Sequence, residues 1–301
     1  MRDCEPVYLL AYRDDALIGR ASLWVIRNEP LPIGPGVGRA VVQAFLRYRP
    51  LLICRSPLSN ASGLILPPEP SRAETLRAIA ESALAASKQR RCSFLLFDFL
   101  SAEESRRWPE GFSLFTVSDP GMRMQNRWPS LEAYLADGNK KDRQHYKRTL
   151  REAAKLGVTI EKRTRVEDVP AALDLIQKVD RRYKNAPHPW MRGLLENLEM
   201  ANGAWLEARQ NGRLVGCGAS FEDNEAQLAT ALGLEEDIPY AYLLLTYASL
   251  EEAIQKRVRV LRWGSGAYEV KKQLGFETED NAHIRFSSRY ALFNYLAKIF
   301  S

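Results

Sequence analysis

Glu269 and Lys271 sit in a short helical stretch that follows a Gly264-Ser265-Gly266 turn, so its first turn is expected to open at the edge of a sheet. A lysine there can bind a phosphate or hold the oxyanion that develops in acyl transfer; as a surface lysine it would do neither. Glu269 can take the proton of an attacking amine, although a glutamate in a first helical turn also simply suits the helix dipole. Tyr240, Tyr242, Trp263 and Tyr268 gather around the same expected cleft, where aromatic side chains serve equally as core or rim. The second chemical signal is charge. Residues 139–165 hold ten Lys/Arg against Asp142, Glu152 and Glu161, whereas the rest of the chain has a net charge of −1. Arg143, Lys147, Arg151 and Lys155 are spaced by four and share one drifting helix face. Such a face either is solvated or forms a cationic wall for a compact anionic group, such as the phosphates of a donor or of a lipid- or nucleotide-linked acceptor.

Other chemistries have less to work with. Cys4, Cys54, Cys92 and Cys217 are scattered singly, and there are three histidines, His145, His188 and His283. No pair has metal-ligand spacing, so no zinc site is expected. Isolated cysteines are more often small core residues than nucleophiles. His188, between Pro187 and Pro189, reads as a loop histidine beside the acceptor side of the cleft. The apolar runs, such as Leu243–Leu245, fall far short of the roughly 20 residues that span a bilayer. The N-terminus has no basic region leading into an apolar stretch, so a cytoplasmic protein is expected. With 46% apolar and 27% charged residues, the chain is expected to build real cores.

An internal repeat organises the elements that must hold these residues. YLLAYRDDALIGRAS (Tyr8–Ser22) aligns without a gap on WLEARQNGRLVGCGA (Trp205–Ala219), at a constant offset of 197 residues. Each reads as strand, polar turn and strand, and so long a period implies a duplicated lobe and not a solenoid. In the second half the pattern predicts a strand at Val158–Lys162, helices at Val166–Tyr183 and Trp190–Ala201, and then the hairpin. After it come a strand at Ala226–Leu234, a helix at Tyr240–Lys256 and a strand at Val258–Trp263. A short helix at Ala267–Leu274 and a last strand at His283–Ser287 complete it. The first half is expected to hold helices at Glu74–Ser87 and Ser101–Trp108 and strands at Ser93–Phe99 and Phe112–Val117. It begins at its hairpin, as a shortened lobe. The expected fold class is therefore α/β (α+β): a lobe over 1–127 and a second over 128–301, each a mostly antiparallel twisted sheet flanked by helices.

This order, with its duplicated lobe, resembles the FemAB-like branch of the GNAT acyltransferase superfamily. It also resembles bacterial CelD/BcsL-like acetyltransferases and peptidoglycan-biosynthesis proteins. The motifs that carry the resemblance are WPSLEAYLADGNKKDRQHYKRTLREAAKLGVTIE (Trp128–Glu161), the hairpin Trp205–Phe221 and LRWGSGAYEVKKQLGFE (Leu261–Glu277). In the first half, RSPLSNASGLIL (Arg55–Leu66) also matches.

The resemblance implies an N-acyltransferase that moves an acyl group from acyl-CoA, or an aminoacyl group from aminoacyl-tRNA, onto an amine of a cell-envelope sugar or peptide precursor. It needs no permanently bound cofactor and no metal. It implies Glu269, Lys271 and Tyr242 as catalytic candidates, a tyrosine at 240 or 242 protonating the leaving group. Tyr240, Arg143, Lys147 and Arg151 would hold the donor. One stretch departs from the superfamily. The loop that usually cradles the CoA pyrophosphate is LEEDIPYAYLLL (Leu234–Leu245), with no glycine after Gly233 and three acids. A glycine-free loop approaches a phosphate less closely, which weakens the case for acetyl-CoA; relatives that use aminoacyl-tRNA depart in the same way. The alternative expectation is a non-catalytic module that holds RNA or an anionic glycolipid through the basic helix 139–155. A peripheral membrane contact through the amphipathic tail 289–300 fits either.

Overall fold

The computed structural model describes residues 4–27, 37–56, 60–116, 119–183, 188, 190–223, 225–291 and 294–295. In chain order the first half contains β1 (Cys4–Arg13), β2 (Ala16–Ile26), α1 (Val37–Tyr48), β3 (Leu51–Cys54) and β4 (Leu64–Ile65). These are followed by α2 (Arg72–Gln89), β5 (Phe94–Leu100), α3 (Ala102–Arg106) and β6 (Ser113–Thr116). The second half contains β7 (Met122–Gln125), α4 (Leu131–Asp137), α5 (Lys140–Lys155), β8 (Val158–Arg163), α6 (Val169–Arg182) and α7 (Met191–Glu196). Then come β9 (Ala204–Gln210), β10 (Arg213–Glu222), β11 (Ala226–Leu234), α8 (Ala241–Gln255), β12 (Val260–Arg262), α9 (Tyr268–Gln273), β13 (Glu277–Thr278) and β14 (His283–Ser288).

The strands form two sheets of one design. The first runs β1-β2-β3-β5-β14-β6, with β4 beside β2; the second, read from its other edge, runs β8-β9-β10-β11-β12-β7-β13. Each has a single parallel pair, β3 with β5 and β11 with β12, joined through one crossover helix, α2 or α8. All other pairings are antiparallel. β8 lies outside β9 and has no counterpart beside β1 among the described residues.

The repeat read from the sequence holds at the level of backbone detail. Asp14 and Asp15 (φ +47° and +64°) and their equivalents Asn211 and Gly212 (+51° and +80°) all take the left-handed conformation that a two-residue hairpin turn of type I′ requires. Ala11 pairs with Gly19 and Tyr12 with Leu17, so Ile18 bulges out; Ala208 pairs with Gly216 and Arg209 with Leu214, so Val215 bulges out. The two bulges are the same 197 residues apart. Beside each is a glycine against its crossover helix: a Cβ on Gly19 would lie 2.8 Å from Thr75 of α2, and one on Gly216 would lie 3.1 Å from Leu245 of α8.

The division of the chain differs from the expected cut at 127/128. One compact unit is Met1–Gly121 together with Glu279–Ser301, and the other is Met122–Thr278. β7, from the first stretch, completes the second sheet between β12 and β13; β14, the last strand, completes the first between β5 and β6. Backbone pairing, not nearness in sequence, assigns these strands.

The first unit's core is built on Leu23, Leu52, Leu95 and Phe97 under Ile79 and Ala83 of α2. The second unit's is built on Met122, Met124, Leu250, Ile254 and Leu261. The expected basic helix 139–155 is α5, a single helix. Gly138 and Asn139 separate α4 from α5, and Asn139 starts α5 with a reciprocal cap: its side chain accepts from Asp142 N at 3.0 Å, while Asp142 accepts from Asn139 N. No described helix is long and apolar enough to cross a membrane. Most of the tail 289–300 lies outside the described residues.

Candidate functional site

In the second unit, β11 pairs with β12 only over Ala226–Leu228, opposite Val260–Arg262, and then runs on to Leu234 without that neighbour. A bulge at Ala231, with φ +56°, falls in the unpaired stretch. The sheet thus parts beyond the carboxyl end of its parallel pair, the place where α/β sheets bind ligands. A cleft of about 360 Å³ lies there, between the start of α8 (Pro239, Tyr240, Tyr242, Leu243) and α9 (Val270, Gln273). A cavity of about 690 Å³ adjoins it and is bounded by Trp128, Tyr134, Asp142, Tyr247 and Leu274 among others. The two share His145, Leu243, Val270 and Gln273.

Tyr240 and Tyr242 both line the cleft. Tyr240 starts α8 with φ +70°, and a non-glycine residue held there is a local strain of the kind found at binding sites. Burial raises the Tyr242 phenol above its usual range, so it stays protonated at neutral pH and can donate. The three acids of the loop are less repulsive than their number implied: Glu235 accepts from Lys178 at 3.0 Å, and Glu236 pairs with Arg182 at 2.9 Å.

The other expected residues lie elsewhere. Lys271 does not face the cleft. It is 6% exposed, and its Nζ donates to the carbonyls of Trp263, Gly264 and Ser265 at 2.7, 3.1 and 3.0 Å. Its ammonium ties down the turn after β12, which corrects the expectation that it holds an oxyanion. Glu269 points to solvent beside Lys272 (3.5 Å) and lines neither part of the cleft. Trp263 is buried, stacked on Phe276 and donating to Gln227. His188 is exposed beside Trp190.

The basic wall is corrected as well. The side of α5 that lines the cleft carries Lys141, Asp142 and His145, whereas Arg143, Lys147 and Arg151 fall on the opposite side of the helix. Arg143 donates to the end carbonyls of α4, those of Leu135, Ala136 and Gly138, where a cation also meets the negative end of the dipole. Arg151 and Lys155 share Glu152. Lys147 and Arg148 are exposed, with no hydrogen bond or ion pair among the described residues.

His145 is the residue that sequence reasoning passed over. Its Nδ1 lies 3.2 Å from Tyr247 Oη, across 102 residues of chain, and Tyr247 is packed edge-on against Tyr146 at 4.8 Å. Burial first, then Asp142 and Tyr146, push the Tyr247 phenol up to about 12. Cys54, Cys92 and Cys217 are buried, and burial pushes their thiols up, Cys92 to about 11, so none is a ready nucleophile.

Two sheets of one design, each with a single parallel strand pair and a crossover helix, define a tandem GNAT fold. The chain belongs to the FemAB-like family, described as peptidoglycan biosynthesis/recognition, which it matches over residues 6–298. Among solved structures it is similar to FemX, with 10% identity, 97% of this chain and 90% of that one covered, and a TM-score of 0.59. It is also similar to a tandem GNAT protein from the clavulanic acid biosynthesis pathway (14%, 95% and 83%, TM-score 0.54). The structure of L-PGS from Bacillus licheniformis is a further likeness (10%, 97% and 88%, TM-score 0.55). No curated protein matches the chain in sequence.

Proposed function

We propose that the protein is an N-acyltransferase of cell-envelope synthesis, which moves an acyl or aminoacyl group to an amine by direct attack within the second unit's cleft. The observation that carries this reading is the parted β11–β12 pair, with Tyr240 and Tyr242 at the start of the crossover helix. A carbonyl donor laid between the strands meets backbone groups freed by the parting, and the protonated Tyr242 is available to the leaving oxygen or sulfur. Acyl-CoA and aminoacyl-tRNA both remain donors for this cleft. The paired Glu235 and Glu236 remove part of the objection to an anionic donor, whereas the glycine-free loop still favours aminoacyl-tRNA. Thermal stabilisation by acetyl-CoA, longer acyl-CoAs and aminoacyl-tRNA tests the reading, with Tyr242→Phe as control. One donor class should raise Tm, and Tyr242→Phe should bind it while transferring about 10²-fold more slowly. If no donor stabilises the wild type, the enzyme reading falls.

A second reading has its own observation. Lys147 projects from the side of α5 away from the cleft, uncompensated, so a non-catalytic hold on RNA or an anionic glycolipid is supported there. Binding that weakens on Lys147→Glu, in a protein that transfers no acyl group, would favour it.

A further inference from the structure

His145 stands where the two parts of the cleft meet, and it lines both. Tyr247 holds it from below, its Oη 3.2 Å from Nδ1, and Tyr146 fixes Tyr247 in turn. When Nδ1 carries the ring hydrogen and donates to Oη, Nε2 is left with a free lone pair on an exposed imidazole. Among the residues lining the cleft, the other titratable and charged groups are Lys141 and Asp142 on its own helix, Tyr240, Tyr242 and Tyr247 at the start of or on α8, Lys272 on α9, Arg127, Tyr134, Asp137 and Glu277 around the wider part, and Arg182, Glu235 and Glu236 across the narrower part. Glu235 and Glu236 are taken up by ion pairs, and Asp142 accepts the cap hydrogen bond of Asn139. Glu269, the carboxylate first expected to be the base, lies outside the cleft.

We propose that His145, oriented by Tyr247, is the base that takes the proton from the attacking amine in this cleft. The inference rests on the acyl-transfer reading above. The amine nitrogen forms its bond to the donor carbonyl, and the ester or thioester bond breaks. One ammonium proton of the tetrahedral intermediate passes to His145 Nε2, and the leaving oxygen or sulfur takes a proton from Tyr242. The imidazolium then releases its proton and the phenolate regains one through solvent, so the protein ends as it began. His145 is a catalytic residue in this scheme. Tyr247, a neutral phenol, is a positioning residue that fixes the ring by a hydrogen bond and not by charge.

The test compares the full-length wild type with His145→Gln and Tyr247→Phe. The probes are acetyl-CoA and aminoacyl-tRNA as donors, with glucosamine and a lysine-containing peptide as amines. His145 is exposed, so its replacement should leave Tm and donor stabilisation unchanged while kcat falls about 10²–10⁴-fold with little change in KM. A base works only when unprotonated, so the wild-type kcat profile should carry an acidic limb that His145→Gln loses. Tyr247→Phe should keep the limb, with kcat about tenfold lower. A His145→Gln protein with wild-type kcat and pH profile overturns the inference and leaves the acyltransferase reading standing. If a donor binds but neither amine accepts, carbethoxylation of the wild type decides: bound donor shielding His145 supports the inference, and an unshielded His145 overturns it. A wild type that binds no donor overturns the reading and the inference together.

Discussion

Lys271 shows how the same residue type at the same place in a motif can serve opposite ends. From its position after the Gly-x-Gly turn it reads as a cation waiting for an anion. Folded, it has already found partial negative charge in three carbonyls of that turn. The turn follows β12 directly, so Lys271 acts on the site by fixing one wall of it. Lys271→Met should therefore destabilise the protein by about 2–3 kcal/mol, because it leaves carbonyls unpaired in a buried place. Urea unfolding measures this. A Lys271→Met protein of wild-type stability that binds donor but transfers no acyl group would instead restore the catalytic role. His145 is the converse case. Nothing within several residues marks it, because what gives it a role is a tyrosine 102 positions away.

Secondary elements were legible where their determinants are local. The two hairpins could be read from turn and strand chemistry, whereas their bulges and the closeness of Gly19 and Gly216 to α2 and α8 came only with the strand register and packing. β11 falls at the residues its pattern predicts, Ala226–Leu234. The basic face of α5 was misread as the cleft wall, because a charge repeat looks the same whichever side of its helix is turned to the site. The choice of which side of α5 meets the cleft depends on α4 and α8 packing against it. The two glycines give a quantitative check on the duplication. A Cβ at Gly19 would strike the buried Thr75 at 2.8 Å and the Ile65 carbonyl at 3.1 Å, neither of which can yield easily. At Gly216 the nearest atoms are the ends of leucine side chains and Ala208 Cβ, at 3.1–3.3 Å. Gly19→Ala should cost about 1–3 kcal/mol and Gly216→Ala under about 1.5, both read by denaturant unfolding. Equal costs would mean that the two crossover helices sit on their hairpins with equal tolerance.

At the scale of the whole molecule, the cut at 127/128 failed for a physical reason. A strand's sequence reports its own alternation, but not which of two similar sheets will take it. β7 and β14 each end up completing the sheet built mostly from the other half of the chain. The consequence is measurable by hydrogen exchange. β14 exchanges hydrogen bonds with β5 and β6, so its amides should share the stability of the first unit, although they follow the second in sequence. Leu95 of β5 is 1% exposed in the first unit's core, and Leu95→Ala should lower that unit's stability by about 2–5 kcal/mol. Amides of β14 should then lose protection together with those of β3 and β5, while those of β10 and β11 keep theirs. If β14 instead kept its protection alongside β11, the last strand would belong energetically to the second unit, and the division by sequence would be the better description of how this chain folds.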